Sequence, residues 1–389
     1  MGLNAVFLTG VYFKPQRLPY SLVFVLPPRL RARALAQLEK RRFEALPDER
    51  IMSVSGFLPE SLLRPLNMIR TWNLIHDWYA SRWIQKHSTN EIHGTIFHGF
   101  QGSCGRSLAI ARRLGLISAV EITQPLATFS VLAEETAKLG LPLGQSKVHL
   151  EDNHEIKIAD FAIVQSEWSI TGIRELRPDA KIILLPLGAD TERFSPSCKR
   201  APHFRVIFVG QICVRKGVHH LLEAWRRVML PNAELLMVGA PTDEIGYRLV
   251  QEHVPGVRWM GQISSPKRLA HLYRESDVFV GPSLSEGGFN AVYEAGASGL
   301  PCIVSDRAGS FVRNGIEGFV LRVGDVTGLR EKLSALYQNM DMRHRMGAAA
   351  RHRAEEYSWE RFGERLVRAY EYMVATVGDP QTNLDFFEA

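Results

Sequence analysis

The feature that most limits what this chain can fold into is its rhythm. Short β-branched or leucine-rich apolar runs alternate with stretches of helical spacing along most of its length. A first series of runs lies at Leu3–Thr9, Thr95–His98, Ser118–Ile122, Phe161–Gln165 and Ile182–Leu185. A second lies at Val206–Val209, Glu234–Val238, Val278–Val280, Cys302–Ser305 and Phe319–Leu321. Most are continuous rather than alternating, as expected of strands covered on both faces. The pattern predicts an α/β fold layered around parallel sheets.

Between the two series, Ser195-Pro-Ser-Cys-Lys-Arg-Ala-Pro-His203 combines two prolines with a polar cluster and reads as a linker. With 389 residues, two domains are expected, residues 1–200 and 201–375, followed by a polar tail over 376–389. The last helix is predicted from an N-cap at Ser358 to about Ala375. Its apolar face is Phe362, Leu366, Ala369, Tyr370 and Met373, and it is expected to pack back on the first domain.

Composition narrows the class. Apolar residues make up 46% and charged residues 23%, the balance of a globular protein. The longest apolar candidate, Ser21 to Pro28, is far short of the roughly 18–20 residues of a membrane span. No signal-peptide pattern follows Met1. Cys104, Cys198, Cys213 and Cys302 are far apart, with no pairs at metal-ligand spacing, which predicts a reducing, cytoplasmic setting without a disulfide framework or a zinc site. The net charge of +6 is unevenly spread: residues 1–113 hold 16 Lys and Arg against 7 Asp and Glu. Nucleic acid, an anionic membrane surface or an acidic substrate would each fit that excess.

The second half carries the more legible chemistry. Val206-Ile-Phe-Val-Gly210 is a strand ending in glycine, followed by Gln211-Ile-Cys-Val-Arg215-Lys216-Gly217 and a helix with Val218, Leu221, Leu222 and Trp225 on one face. Adjacent cations before a helix start suit an anion, although a solvated surface loop has the same composition. Pro282-Ser-Leu-Ser-Glu286-Gly-Gly-Phe-Asn290-Ala-Val-Tyr-Glu294 then follows the strand Val278–Val280. The Gly287–Gly288 pair allows close backbone approach to a phosphate, and the helix opening at Phe289 or Asn290 adds its dipole. Glu286 stands at the loop lip. Glu294, in the first turns, is placed to accept hydrogen bonds from vicinal hydroxyls.

These pieces resemble retaining glycosyltransferase family 4, of GT-B architecture, in family order. The resemblance runs through Pro186-Leu-Gly-Ala-Asp190 to Pro196, Gly210 to Gly217, Trp259-Met-Gly-Gln262 and Tyr273 to Ser283. It continues through the two glutamates Glu286 and Glu294, Gly299 to Asp306, and Asn314 to Gly318. It covers about residues 155–375. It implies two Rossmann-like domains facing a cleft, with a nucleotide-sugar donor on the second domain and a saccharide or lipid-linked acceptor on the first.

By similarity, Lys216 and Arg215 neutralise the donor diphosphate, the backbone around Gly287, Gly288 and Phe289 contacts the sugar or the phosphate, and Gly210 and Asn290 also belong to the donor site. Glu286 lies near the sugar and Glu294 binds the ribose. Retention by front-face attack, with no metal or cofactor, is implied. The lack of an Asp-x-Asp motif agrees. One departure is Gln211, where the family commonly has arginine; Arg215 is expected to supply that charge.

The first half is less explicit. Thr95-Ile-Phe-His98-Gly-Phe-Gln-Gly102-Ser-Cys-Gly-Arg106 reads as a strand, a glycine-rich loop and a helix. His98 and Gly102 are acceptor-side candidates; the alternative for His98 is a structural hydrogen bond. Glu121 stands where relatives often have a histidine at a strand end. It is a candidate base or acceptor-orienting group, or a partner for a basic neighbour.

The opening contains no glycine-rich turn. It predicts either a missing strand–helix unit of on the order of 30 residues or a degenerate one. Leu22 to Leu35 mixes apolar and basic residues, as would a segment docking peripherally on an inner membrane face or a buried strand with a solvated helix. The rival to an active transferase is a poorly active or non-catalytic nucleotide-sugar-binding protein. An epimerase or phosphorylase on the same fold is a further alternative. No recognised motif supports nucleic-acid binding.

Overall fold

In chain order, β1 (Phe7–Thr9) and β2 (Ile51–Ser53) pair in parallel, and α1 (Ile69–His87) follows. Next come β3 (Ile96–Phe100), α2 (Gly105–Arg113) and β4 (Ile117–Ile122). Strands β3 and β4 are parallel, with His98 opposite Ala119 and Phe100 opposite Glu121. They are followed by α3 (Thr128–Lys138), α4 (His154–Ile158), β5 (Phe161–Val164), α5 (Trp168–Leu176) and β6 (Lys181–Leu184). Strands β3 to β6 form one four-stranded sheet in chain order. The structure is a computed structural model that describes residues 7–9, 51–53, 69–87, 94–140, 153–197 and 203–378.

The rest of the chain builds a six-stranded parallel sheet. Its elements are β7 (Phe204–Val209), α6 (Val218–Val228), β8 (Ala233–Val238), α7 (Glu244–Leu249), β9 (Val257–Gly261), α8 (Pro266–Arg274), β10 (Val278–Gly281), α9 (Asn290–Ala297), β11 (Cys302–Ser305) and β12 (Gly318–Leu321). Three helices close the chain: α10 (Val326–Gln338), α11 (Met340–Glu356) and α12 (Trp359–Gly378). The strand order is β12-β11-β10-β7-β8-β9. Neighbours in this order are parallel throughout.

The two faces of β7 explain why its sequence is apolar without alternation. Val206 and Phe208 enter a core with Leu221, Leu222, Trp225, Leu329 and Leu333. Ile207, between them, enters a second core with Phe279, Val292, Tyr293 and Val304. Side chains alternate across a strand, so a sheet covered twice needs apolar residues at every position. Each such side chain contributes about 1.5–3 kcal/mol when fully buried.

All ten predicted runs contain a strand, within the described residues. Two strands have no predicted counterpart, β2 and β9. Strand β9 lies at a sheet edge and is partly exposed along its length, with Arg258 inside it, so no apolar run marks it. The Ser358 N-cap is present, its Oγ accepting from the Arg361 N–H at 3.3 Å. Helix α12 continues to Gly378, beyond the predicted end at Ala375 and into the predicted tail. Cys104, Cys213 and Cys302 are buried and free. Cys198, the segment Leu22 to Leu35 and the tail after Gly378 lie outside the described residues.

Contacts group the chain into two compact units. One comprises Met1–Glu121, His154–Phe161 and Tyr372–Thr382; the other comprises Ile122–Asn153, Ala162–Glu371 and Asn383–Ala389. Among the described residues, no helix is long and apolar enough to cross a membrane.

Candidate functional site

The second unit assembles the cationic loop and the two-glutamate segment into one cluster. After β7, Val214–Lys216 forms a single 3-10 turn. Asp243 holds that turn in place: one carboxylate oxygen accepts from the Val214 N–H at 2.8 Å, and the other caps α7 through the Gly246 N–H at 2.7 Å. Gly217 closes the turn at φ +65°, where a Cβ would lie 2.0 Å from the Pro282 carbonyl oxygen. Only glycine lets the loop press this closely on the end of β10. The Leu284 N–H then donates to the Arg215 carbonyl at 2.8 Å, which ties the two loops together.

This backbone arrangement brings both cations to one carboxylate. Lys216 Nζ is 2.8 Å from Glu286 Oε1, and Arg215 Nη1 donates to the same oxygen. Arg215 Nη2 also donates to Gln211 Oε1 at 3.2 Å, so the residue that departs from the family pattern orients the neighbouring guanidinium. Lys216 Nζ sits 3.5 Å from the centroid of the Phe289 ring, a cation–π contact. Lys216 and Glu286 are only 7% and 6% exposed. Burial foremost, with Arg215 adding to it and Glu286 opposing, lowers the Lys216 pKa below its ordinary value. Two cations share one anion, which leaves a positive charge over.

The glycine pair lies between that carboxylate and α9. A Cβ on Gly287 would stand 2.4 Å from the Thr123 carbonyl oxygen, and one on Gly288 2.4 Å from Leu187 Cδ1. The Glu286 N–H donates to the Arg307 carbonyl at 3.0 Å and the Phe289 N–H to that of Gly309 at 3.2 Å. Phe289 is buried, and Asn290, the first residue of α9, is exposed. Gly210 donates its N–H to Val238 at the end of the neighbouring strand, at 2.9 Å. Glu294, one helical turn beyond Asn290, accepts from the Tyr273 hydroxyl at 3.1 Å. Burial pushes its carboxyl up to about 7, against the lowering effect of that hydrogen bond.

Several residues of this region had no motif to announce them. Ser285 Oγ lies 2.8 Å from Thr128 Oγ1 and accepts from Trp168 Nε1 at 3.2 Å. Arg307 stacks over the Trp168 ring at 4.4 Å. Asp243 alone carried a signal, since an aspartate directly before a helix reads as an N-cap.

The acceptor-side candidates lie in the first unit. His98 Nε2 is 3.1 Å from Glu121 Oε2, so the two sequence candidates are partners. They sit on adjacent parallel strands, offset by two residues in register, with His98 in the middle of β3 and Glu121 next to the last residue of β4. Gly102 adopts φ +78°, and its N–H donates to Glu155 Oε2 at 2.9 Å. Glu155 Oε1 also accepts from the Cys104 N–H at 3.2 Å. Asp77, on α1, accepts from the N–H groups of Arg106 and Ser107 at 2.7 and 2.8 Å. The N-terminal amides of α2 are therefore satisfied by two carboxylates from other helices.

Comparison with known proteins follows the same division. Residues 203–339 match the family described as glycosyl transferases group 1. The spore coat protein SA of Bacillus subtilis is 30% identical over 181 residues, 43% of this chain and 48% of that protein. The phosphatidyl-myo-inositol mannosyltransferase of Mycobacterium leprae is 30% identical over 204 residues, 50% of this chain and 54% of that protein. The chain thus matches about half the length of these curated relatives. Among solved structures, sucrose-phosphate synthase from Thermosynechococcus elongatus has a TM-score of 0.63 at 20% identity, covering 86% of this chain and 83% of that one. That likeness is one of fold, and the fold is the GT-B type expected from the motifs. Over residues 203–339 the resemblance to a glycosyltransferase family read from those motifs is borne out.

Proposed function

We propose, from the glycosyl transferases group 1 character of residues 203–339, that this protein transfers a sugar from a nucleotide-sugar donor to a saccharide or lipid-linked acceptor. The reading adds retention of anomeric configuration and independence of metal. One observation carries it: Arg215 and Lys216 converge on Glu286 beside the start of α9, with more positive than negative charge. Breaking an anomeric C–O bond leaves negative charge on a diphosphate, and fixed cations with oriented dipoles stabilise that charge as it develops. Under this reading the two cations move from Glu286 to the diphosphate. Glu286 is then released towards the hydroxyls of the donor sugar, and Glu294, oriented by Tyr273, takes the ribose hydroxyls.

A lipid-linked acceptor is supported by the mannosyltransferase relative, whose name places its sugar on a phosphatidylinositol. The basic excess of residues 1–113 suits an anionic acceptor or membrane surface. Sedimentation with anionic vesicles is expected to retain the protein at low salt and release it at high salt. No binding at low salt would remove the membrane from the proposal.

The central test is a thermal-shift screen of nucleotide sugars followed by assay of nucleoside diphosphate release. A specific donor is expected to raise the melting temperature by mass action and to be consumed when an acceptor is present. Stabilisation without release would favour a binding protein over a transferase. A screen in which no nucleotide sugar stabilises the chain would overturn both.

A further inference from the structure

Three side chains of ligand type meet away from the Glu286 cluster. Glu135 projects from α3, while His219 and His220 open α6 directly behind Gly217. Nε2 of His219 lies 3.0 Å, and Nε2 of His220 3.1 Å, from the same Oε1 of Glu135. One donor atom from each of the three residues falls within 4.8 Å of the others, the one such group among the described residues. The imidazole centroids are 4.0 Å apart with their planes 43° to one another, so the rings converge on one point instead of stacking flat. A tetrahedral zinc ion with bonds of about 2.0–2.1 Å sets neighbouring donor atoms roughly 3.3 Å apart. The observed N···O separations are within a few tenths of an ångström of that spacing.

We propose that Glu135, His219 and His220 form a two-histidine, one-carboxylate site for Zn²⁺ or a chemically similar divalent transition metal. Lys138 faces the other Glu135 oxygen, Oε2, at 3.2 Å through a side chain that is 70% exposed. That contact leaves Oε1 turned to the imidazoles, and the lysine is free to swing into solvent when the ion neutralises the carboxylate.

The site has a structural consequence. Helix α6 begins at Val218, immediately after Gly217, so an ion held here would tether α3 to the turn that carries both cations. Its role is to position that turn. It takes no part in the transfer chemistry, and the proposal does not depend on the transferase reading.

The test uses the full chain, stripped with a chelator and then titrated with Zn²⁺. The melting temperature is expected to rise by about 5 °C at a hundredfold excess over Kd. Co²⁺ in place of Zn²⁺ should give the visible absorption of a low-symmetry, nitrogen- and oxygen-ligated site. His220→Asn and Glu135→Gln should each weaken Zn²⁺ binding by at least about 10–100-fold, the loss that even outer-shell changes produce. Circular dichroism without metal reports whether each variant folds. If one does not, the other variant and the Co²⁺ spectrum of the unaltered chain decide. Absence of a zinc-dependent shift in the unaltered chain, or unchanged affinity in a folded variant, would overturn the proposal.

Discussion

The loop after β7 and the loop after β3 are built alike and finished differently. Each runs from a parallel strand through a glycine-containing turn into a helix. Next to the first turn, Glu121 of β4 meets His98 of β3, and the amides at the turn and at the start of α2 are taken by Asp77 and Glu155. That turn is closed by internal anions. After β7, Arg215 and Lys216 both meet Glu286, two basic side chains to one carboxylate. A helix start whose donors are consumed by carboxylates is finished structure. A helix start flanked by surplus cations is prepared for an anion from outside. The same supersecondary unit therefore supports two different kinds of site, and the distinction lies in side chains supplied from elsewhere in the fold.

The sharpest way to break this comparison is Lys216→Ala. Loss of a preorganised cation at the leaving group should lower donor turnover at least about a hundredfold with an unchanged circular dichroism spectrum. Near-normal release of nucleoside diphosphate would remove the β7 loop from the proposed reaction. A smaller effect is expected from Glu121→Gln. The amide can still contact His98 but cannot carry charge, so turnover should fall roughly tenfold while donor Kd is unchanged. Unchanged kinetics would assign the His98–Glu121 pair to structure alone and make the contrast between the loops complete.

The mildest test is pH. The buried Glu294 carboxyl titrates at about 7, against an ordinary value of 4.5. The folded state therefore keeps a proton that the unfolded chain releases, and the stability this group contributes below pH 4.5 is lost as pH rises through about 7. Ribose hydroxyls need the ionised carboxylate as acceptor. Nucleotide affinity should consequently rise by up to about tenfold between roughly pH 6 and pH 8, and Glu294→Gln should flatten the profile. A pH-independent Kd in the unaltered chain would take Glu294 out of the ribose site.

Legibility followed burial and locality. Strands β7, β10 and β11 sit inside the six-stranded sheet, covered on both faces, and their continuous apolar runs stood out. Strand β9 is at the edge and half-exposed, and it left no comparable trace. The cationic turn and the two-glutamate segment were readable because their glycines and charges are close in sequence. The contact of both cations with Glu286 was not readable, because 71 residues separate Arg215 from Glu286. Glu155 and Asp77 gave no local sign of their capping role, since the amides they satisfy lie 51 to 53 and 29 to 30 residues away.

By itself the sequence determined the α/β class, the parallel sheets, the GT-B resemblance of the second half and the residue types of the two charged loops. Each of these rests on periodicity or on short spacing, which a chain expresses before it closes. Only the tertiary structure decided which charges meet. It paired His98 with Glu121, gave one carboxylate to Arg215 and Lys216, and brought Glu135 to two histidines 84 and 85 positions on. The physical reason is range. Local conformation depends on neighbours in the chain, whereas a buried ion pair or metal-type cluster depends on packing that brings distant helices and loops within about 3 Å.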